Sequence, residues 1–420
     1  MKKIVSKDKN PYVIGYIFCT IVCLLILFIQ ILLSHGDLIN HYFFYDTADT
    51  GMDFFHSIEY VNERAPYDLF NTLYPPLANL LFYVFLYLVP VEITRKWPLD
   101  FSKSVSMRRT ENDLRVYQAP MLLFIFFILI CTLFIIFIVS NFLEKNDIKN
   151  KNCILTCLFF SYGMLMTIER GNILMLALPL TMFFVFNYES DKKIVREISY
   201  ISLAIAAGLK LYPAFFGILL LRKKDWWAAC RTVLYGVFSI ILPALFFKEG
   251  FGAIAKWLKV VLNFNKDSSQ PWVGNSFNNF LHHVQHFFGI NGVEISDKCF
   301  NIASLLIVAV LLAISLFEKK WKSVFLVTLA MCFFQTQGEY IYSFFAIPLI
   351  CLFVEETEIC LADIIPYLSI IVFMVPLPVF YEADEFYPRN IIIHFVYMIL
   401  LIWGIIQGII YMKRVRRIDD

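Results

Sequence analysis

Apolar runs separated by short polar segments set the pattern of this chain from end to end. They lie at about 13–33, 74–91, 119–143, 153–168, 172–187, 198–210, 213–221 and 228–247, then at about 302–317, 323–335, 341–354, 359–379 and 391–411. A transmembrane helix needs roughly 20 apolar residues to cross about 30 Å of hydrocarbon. Charged side chains collect between such spans rather than inside them. The pattern therefore predicts an all-α, polytopic helical membrane protein with roughly 12–13 transmembrane helices. It is read as one integral-membrane domain over 1–420, with a first external loop at 34–73 carrying short helices and a second external polar region at 248–300.

Sidedness follows from the basic residues. Lys2 and Lys3 precede the first run, which is longer than the core of a cleavable signal, so it is read as an uncleaved helix with a cytoplasmic N-terminus. The positive-inside rule places Arg222-Lys223-Lys224, Lys319-Lys320-Trp321-Lys322 and the C-terminal cluster Lys413-Arg414-Val415-Arg416-Arg417 in the cytoplasm. Alternation then puts Glu169-Arg170-Gly171-Asn172, Lys210-Leu211-Tyr212-Pro213, 248–300, 335–342 and 380–390 outside. Counting forward from the N-terminus puts Asp53 outside as well. The two counts collide between 74 and 143, where the charged stretch 92–116 is cytoplasmic by one and external by the other. A run that does not cross, or an added half-span, is expected there.

Composition agrees with the pattern. Hydrophobic residues make up 59% of the chain, against roughly 45–50% in soluble domains, and the mean hydropathy is +0.68. With 36 basic and 34 acidic residues there is no electrostatic case for a nucleic-acid partner. The ten cysteines include no CxxC pair; Cys19/Cys23 and Cys153/Cys157 stand four apart among apolar neighbours and read as small hydrophobes. Signatures of soluble enzymes (GxSxG, HExxH, a P-loop, GxGxxG) are absent.

What remains is a set of polar groups gathered at one membrane face. The first loop carries Asp46, Asp49, Asp53, Glu59, Glu63 and Asp68. Arg170 sits between two apolar runs almost without a spacer, and Lys210 interrupts another apolar stretch. A cation near bilayer depth costs about 2.5–3.5 kcal/mol on insertion scales, so it usually has a partner or a ligand. Two cations and a carboxylate on one face suit an anionic, membrane-embedded substrate, with phosphate between Arg170 and Lys210 and a base at Asp53. Plainer roles stand beside these: Arg170 pairing with Glu169 or a loop acid, Lys210 reaching to the interface, Asp53 capping a helix. His282, His283 and His286 have metal-compatible spacing, but the flanking phenylalanines read equally as an interfacial amphipathic helix.

The order of these pieces resembles the GT-C superfamily of integral-membrane glycosyltransferases, and within it the bacterial polyprenol-phosphate-mannose-dependent α-1,2-mannosyltransferase type. The matching residues are Asp53-Phe54 with Pro66-Tyr67-Asp68, Tyr74-Pro75-Pro76, Arg170-Gly171-Asn172, the stretch Ala206-Ala207-Gly208-Leu209-Lys210-Leu211-Tyr212-Pro213, and Gly274-Asn275-Ser276. The chain departs from the pattern at Gly338-Glu339-Tyr340, where relatives often carry a histidine, and in its long charged insert at 92–116. The resemblance implies transfer of a hexose, mannose by analogy, from a polyprenyl-phosphate donor to a glycan or glycolipid acceptor at the external face of the cell membrane. It implies inversion with Asp53 as general base and a leaving phosphate held by Lys210 and Arg170. Glu59, Tyr67, Asp68, Asn172, Asn275 and Glu339 are then candidates for acceptor or sugar binding, and no metal or cofactor is called for. Both termini are expected in the cytoplasm. Competing readings are a polyprenyl-linked polysaccharide polymerase or ligase, a secondary transporter with broken helices at 168–172 and 208–213, and a non-catalytic scaffold.

Overall fold

The computed structural model describes residues 10–42, 50–69, 71–90, 92, 113–267, 297–334, 338–377, 396–400 and 402–407. All regular elements among them are α- or 3₁₀-helical, with no strand, so the chain is an all-α polytopic membrane protein as its pattern requires. Three helices among the described residues are long and apolar enough to span by themselves: Pro11–Leu33, Gln118–Lys145 and Trp226–Ala244. Lys151–Phe159 and Tyr162–Arg170, bent by 56° at a short break, make a fourth if counted as one span. Other apolar runs form shorter helices such as Pro76–Leu86, Leu174–Asn187 and Leu361–Met374. Glycine, proline and charge interrupt them. The helix Lys193–Leu209 stops where Lys210 turns extended (φ −147°, ψ 135°), and Pro213 opens the 3₁₀ turn Tyr212–Gly217 that follows.

The chain divides into two compact units. One comprises Met1–His35, Leu143–Met164 and Ser268–Asp420. Its first helix is capped by Asn10, whose Oδ1 accepts from the Tyr12 amide at 3.0 Å, with Pro11 in the first turn. The Asn10 amide also donates to the carbonyls of Phe353 and Glu356 at 2.9 and 2.8 Å, tying the helix start to the end of Ala346–Glu355. Lys320–Phe334 is buried at every position from Trp321 to Phe333. A helix covered on all sides belongs at the middle of a bundle, and Lys322 is admitted there because Asp363 Oδ1 lies 2.6 Å from its Nζ. Gly163 is a close-approach point: a Cβ there would stand 2.8 Å from the Tyr342 carbonyl carbon.

The other unit comprises Gly36–Phe142 and Leu165–Asp267. Its helix Pro76–Leu86 has 11 residues, a rise of roughly 16 Å, about half the hydrocarbon thickness. It ends in turns at Tyr87, Leu88 and Val89. Asp113 and Arg115 form a buried ion pair at 2.7 Å, and Arg115 Nη1 donates to the Thr50 carbonyl at 2.9 Å. The end of the charged stretch thus packs beside the start of the Asp53 helix. The helix of the 74–91 run, where the two topology counts collide, is one of the shorter apolar helices. The basic residues Arg95 to Arg109 lie outside the described residues, as do Asp46, Asp49 and the histidines 282, 283 and 286.

Three stability outcomes follow. Replacing Asp113 by Ala strips the carboxylate from a buried arginine, a change of about 3–5 kcal/mol, so D113A lowers the thermal midpoint sharply in detergent. Gly163→Ala forces backbone against backbone and costs about 1–3 kcal/mol. Gly236→Ala, at a helical position where a Cβ meets nothing within 4 Å, instead gains about 0.5–1 kcal/mol. Thermal midpoints of the purified variants, ranked against wild type, check all three.

Candidate functional site

Asp53 stands in the first turn of the helix Met52–Tyr60, where partial positive charge at the helix N-terminus favours a carboxylate. Its neighbours fix the roll of that helix. Phe54, Phe55 and Ile58 are fully buried, and the Phe54 ring is enclosed by Phe55, Phe82, Phe85, Phe124 and Phe127 at centroid separations of 5.3–5.9 Å. The helix start is held from both sides. Gly51, at φ +74°, donates its amide to the Glu169 carbonyl at 2.8 Å, while Arg115 holds the Thr50 carbonyl. Asp53 is left at the edge of the aromatic core, with 19% of its side chain exposed.

The groups that meet it come from a helix end. Tyr162–Arg170 closes in a Schellman arrangement: the Gly171 amide donates to Ile168 at 3.0 Å and the Asn172 amide to Thr167 at 3.1 Å, with Gly171 at φ +62°. A Cβ on Gly171 would stand 2.9 Å from Phe54 Cβ, so glycine is required both for the turn and for the approach. The turn delivers Arg170 Nη2 to Asp53 Oδ1 at 3.1 Å and Asn172 Nδ2 to Asp53 Oδ2 at 2.6 Å. Asn172 Oδ1 accepts from the Leu174 amide at 3.0 Å. That bond orients the side-chain amide, so its NH₂ is the end that faces the carboxylate.

Lys210 completes the cluster at the second helix break. Its Nζ lies 4.5 Å from the centroid of the Tyr74 ring and 5.9 Å from that of Tyr212, within cation–π range. Tyr74 is in turn fixed through its backbone. Asn79 Nδ2 donates to Tyr67 Oη at 3.0 Å and to the Tyr74 carbonyl at 3.1 Å, and the Tyr67 hydroxyl donates to that carbonyl at 3.0 Å. Burial pushes the Asp53 carboxyl up, but the Arg170 charge and hydrogen bond, the Asn172 amide and the Lys210 charge outweigh it. The net direction is down, and Asp53 is an anion at neutral pH.

Of the residues singled out from the sequence, the structure brings together Asp53, Arg170, Asn172 and Lys210. Tyr67 is buried and acts on Tyr74. Asp68 pairs with Lys256 on the loop surface. Glu59 is buried six positions along the Asp53 helix, which turns it to a different face. Glu339 belongs to the other unit, where Tyr162 donates to it. Asn275 lies outside the described residues. Sequence reasoning missed the Tyr74 ring beneath Lys210, and it missed Asn79, Asp113 and Arg115 as supports. Asn79 left a signal, being the lone polar side chain inside its apolar helix. Among the described residues no three His, Cys, Asp or Glu side chains converge as a metal site would need.

An anion flanked by an arginine, a lysine and an amide, where two helices break, is equipped to take a proton next to a bound phosphate. Comparison with known proteins agrees with a transferase. No curated protein matches the chain, but the family model of glycosyltransferase family 87, a GT-C-like family, matches residues 72–336. Arg170, Asn172, Lys210 and their supports Tyr74 and Asn79 fall inside the matched segment, while Asp53 precedes it. The match covers well over half of the chain, which therefore belongs to glycosyltransferase family 87.

Proposed function

We propose that this glycosyltransferase moves a hexose, mannose by resemblance, from a polyprenyl-phosphate donor to a glycan or glycolipid acceptor at the external membrane face, with inversion. The observation that carries the proposal is the Asp53 carboxylate held against Arg170 and Asn172 with Lys210 nearby. In the reaction, Asp53 takes the proton of the acceptor hydroxyl as that oxygen attacks the anomeric carbon. The bond from that carbon to the phosphate oxygen breaks, and its electron pair leaves with polyprenyl phosphate. Attack opposite the leaving group inverts the centre. The departing phosphate needs charge stabilisation, for which Lys210 and Arg170 are the available cations.

The Arg170 contact also supplies a control on basicity. A carboxylate held below its usual range is a weak base. A donor phosphate that engages Arg170 relieves Asp53 of part of its cationic field, so its affinity for a proton rises when the donor is in place.

Transfer of labelled sugar from polyprenyl-phosphate hexoses in membranes tests the assignment. Asp53→Asn keeps shape and hydrogen bonding but removes the base, and kcat/KM falls by about 10²-fold or more. Near-normal turnover in that variant would remove Asp53 from the chemistry, and absence of transfer by wild type from every such donor would remove the donor class. Arg170→Gln takes away the largest influence lowering the Asp53 pKa and leaves burial to raise it. The acid limb of the kcat/KM profile, which reports the free enzyme, therefore moves to higher pH, while donor KM increases.

A further inference from the structure

A polar cavity lies in the same unit, lined by none of the residues that hydrogen-bond Asp53. The helix Gly252–Asp267 follows the last long span of this unit and is two-faced. On one side Ala253 and Trp257 are buried with Tyr67 and Phe247, flanked by Ile254 and Val261. Trp257 Nε1 donates to the Leu73 carbonyl at 3.1 Å, which locks the helix to the end of the first loop. On another side, Lys256, Lys259, Val260 and Asn263 follow one another at i, i+3, i+4 and i+7, the spacing of a single helical row. That row forms one wall of a cleft of about 450 Å³, and Tyr67, Asp68 and Asn71 of the first loop form the other.

The lining has the chemistry of a neutral, hydroxyl-rich ligand. Asp68 offers an acceptor, Lys259 a donor, and the amides of Asn71 and Asn263 offer both. Lys256 is held by Asp68 and Glu249. With Lys259 the local formal charges cancel, so the cleft has no bias toward a polyanion. Its volume falls within the roughly 300–1,000 Å³ of small-ligand sites. Its wall is also connected to the reaction centre. Tyr67, which borders the cleft, donates to the carbonyl of Tyr74, the residue whose ring faces Lys210.

We infer that this cleft is the acceptor subsite, and that it holds a neutral glycan segment whose terminal hydroxyl is presented to Asp53. The inference rests on the transferase scheme proposed above. It gives the first loop two tasks: Asp53 at its middle is the base, and its end, with the Gly252–Asp267 helix, grips the chain that the base deprotonates. Specificity for the acceptor then resides in Asn71, Asn263 and Asp68, apart from the donor cations.

The test uses the full-length protein in nanodiscs with matched trisaccharides of α-linked mannose, glucose and galactose as probes, read by saturation-transfer NMR and titration calorimetry. Val260→Trp fills the cleft from the helix wall. Asn263→Ala removes one amide at a helical position that tolerates alanine. Wild type is expected to bind at least one trisaccharide, and both variants to weaken that binding about tenfold, the scale of one lost hydrogen bond or more. Asp53→Asn is expected to bind the trisaccharide like wild type. In transfer assays the cleft variants raise the acceptor KM by the same factor with the donor KM unchanged. Binding and acceptor KM untouched by both variants, or no binding of any trisaccharide by wild type, overturns the subsite. Transfer that survives Asp53→Asn, alongside glycan binding that is lost in Val260→Trp, overturns the base assignment and leaves the cleft standing.

Discussion

A carboxylate set against a shell of phenylalanines stays ionised only if donors and cations come to it, and that demand shapes the unit around Asp53. Burial of Phe54, Phe55 and Ile58 fixes the helix, and the helix then has no freedom to turn Asp53 out to bulk solvent. Arg170 and Asn172 answer the charge directly, and Lys210 adds to the field from a separate helix end. Each of these three is available because a helix stops where it does. A continuous helix through 170–172 would set the side chains of Arg170 and Asn172 about 200° apart around its axis, so both could not face one carboxylate. The Schellman turn at Gly171 instead aims both side chains at one carboxylate.

Supports for this cluster are buried polar groups that have found partners, and they are as constrained as the site itself. The Asp113–Arg115 pair satisfies its own charges and spends a remaining donor on the Thr50 carbonyl. Asn79 and Tyr67 share the Tyr74 carbonyl and so fix the ring that faces Lys210. Arg64 Nε donates to the Phe246 carbonyl at 2.7 Å, and the Lys248 amide returns a bond to the Arg64 carbonyl at 3.1 Å. The stretch 50–73 of the first loop is thereby fastened at Thr50, Arg64 and Leu73, which is how a polar loop beside a membrane becomes a rigid platform. The cleft against Gly252–Asp267 inherits that rigidity through Trp257 and Leu73.

Much of this was legible in the chain. Apolar runs of helical length predicted the all-α membrane architecture, because a bilayer imposes one rule on every spanning segment. The isolated cations Arg170 and Lys210 were conspicuous because charge at bilayer depth is expensive, and the ordered motifs around them pointed to a membrane glycosyltransferase, the activity that the family match supports. Broken helices at 168–172 and 208–213, weighed as marks of a transporter, are present, and they carry Arg170 and Lys210, the cations that the proposed scheme gives to the donor phosphate.

Other features were settled only by packing. Hydropathy is blind to how long a helix an apolar run will form, and the 74–91 run forms the 11-residue helix Pro76–Leu86, with Arg115 further along the chain bonded back to the Thr50 carbonyl. Composition cannot tell one acid's surroundings from another's: Asp53 meets Arg170 and Asn172, Asp68 pairs with Lys256, Asp113 pairs with Arg115, and Glu59 is buried. The sequence by itself determined which segments are helical and which side chains are costly enough to need partners, since both depend on local residue type and its preference for lipid or water. Tertiary structure decided which partner each costly group obtained, because Asp53 and Arg170 stand 117 positions apart in the chain and only the fold brings them within hydrogen-bonding distance.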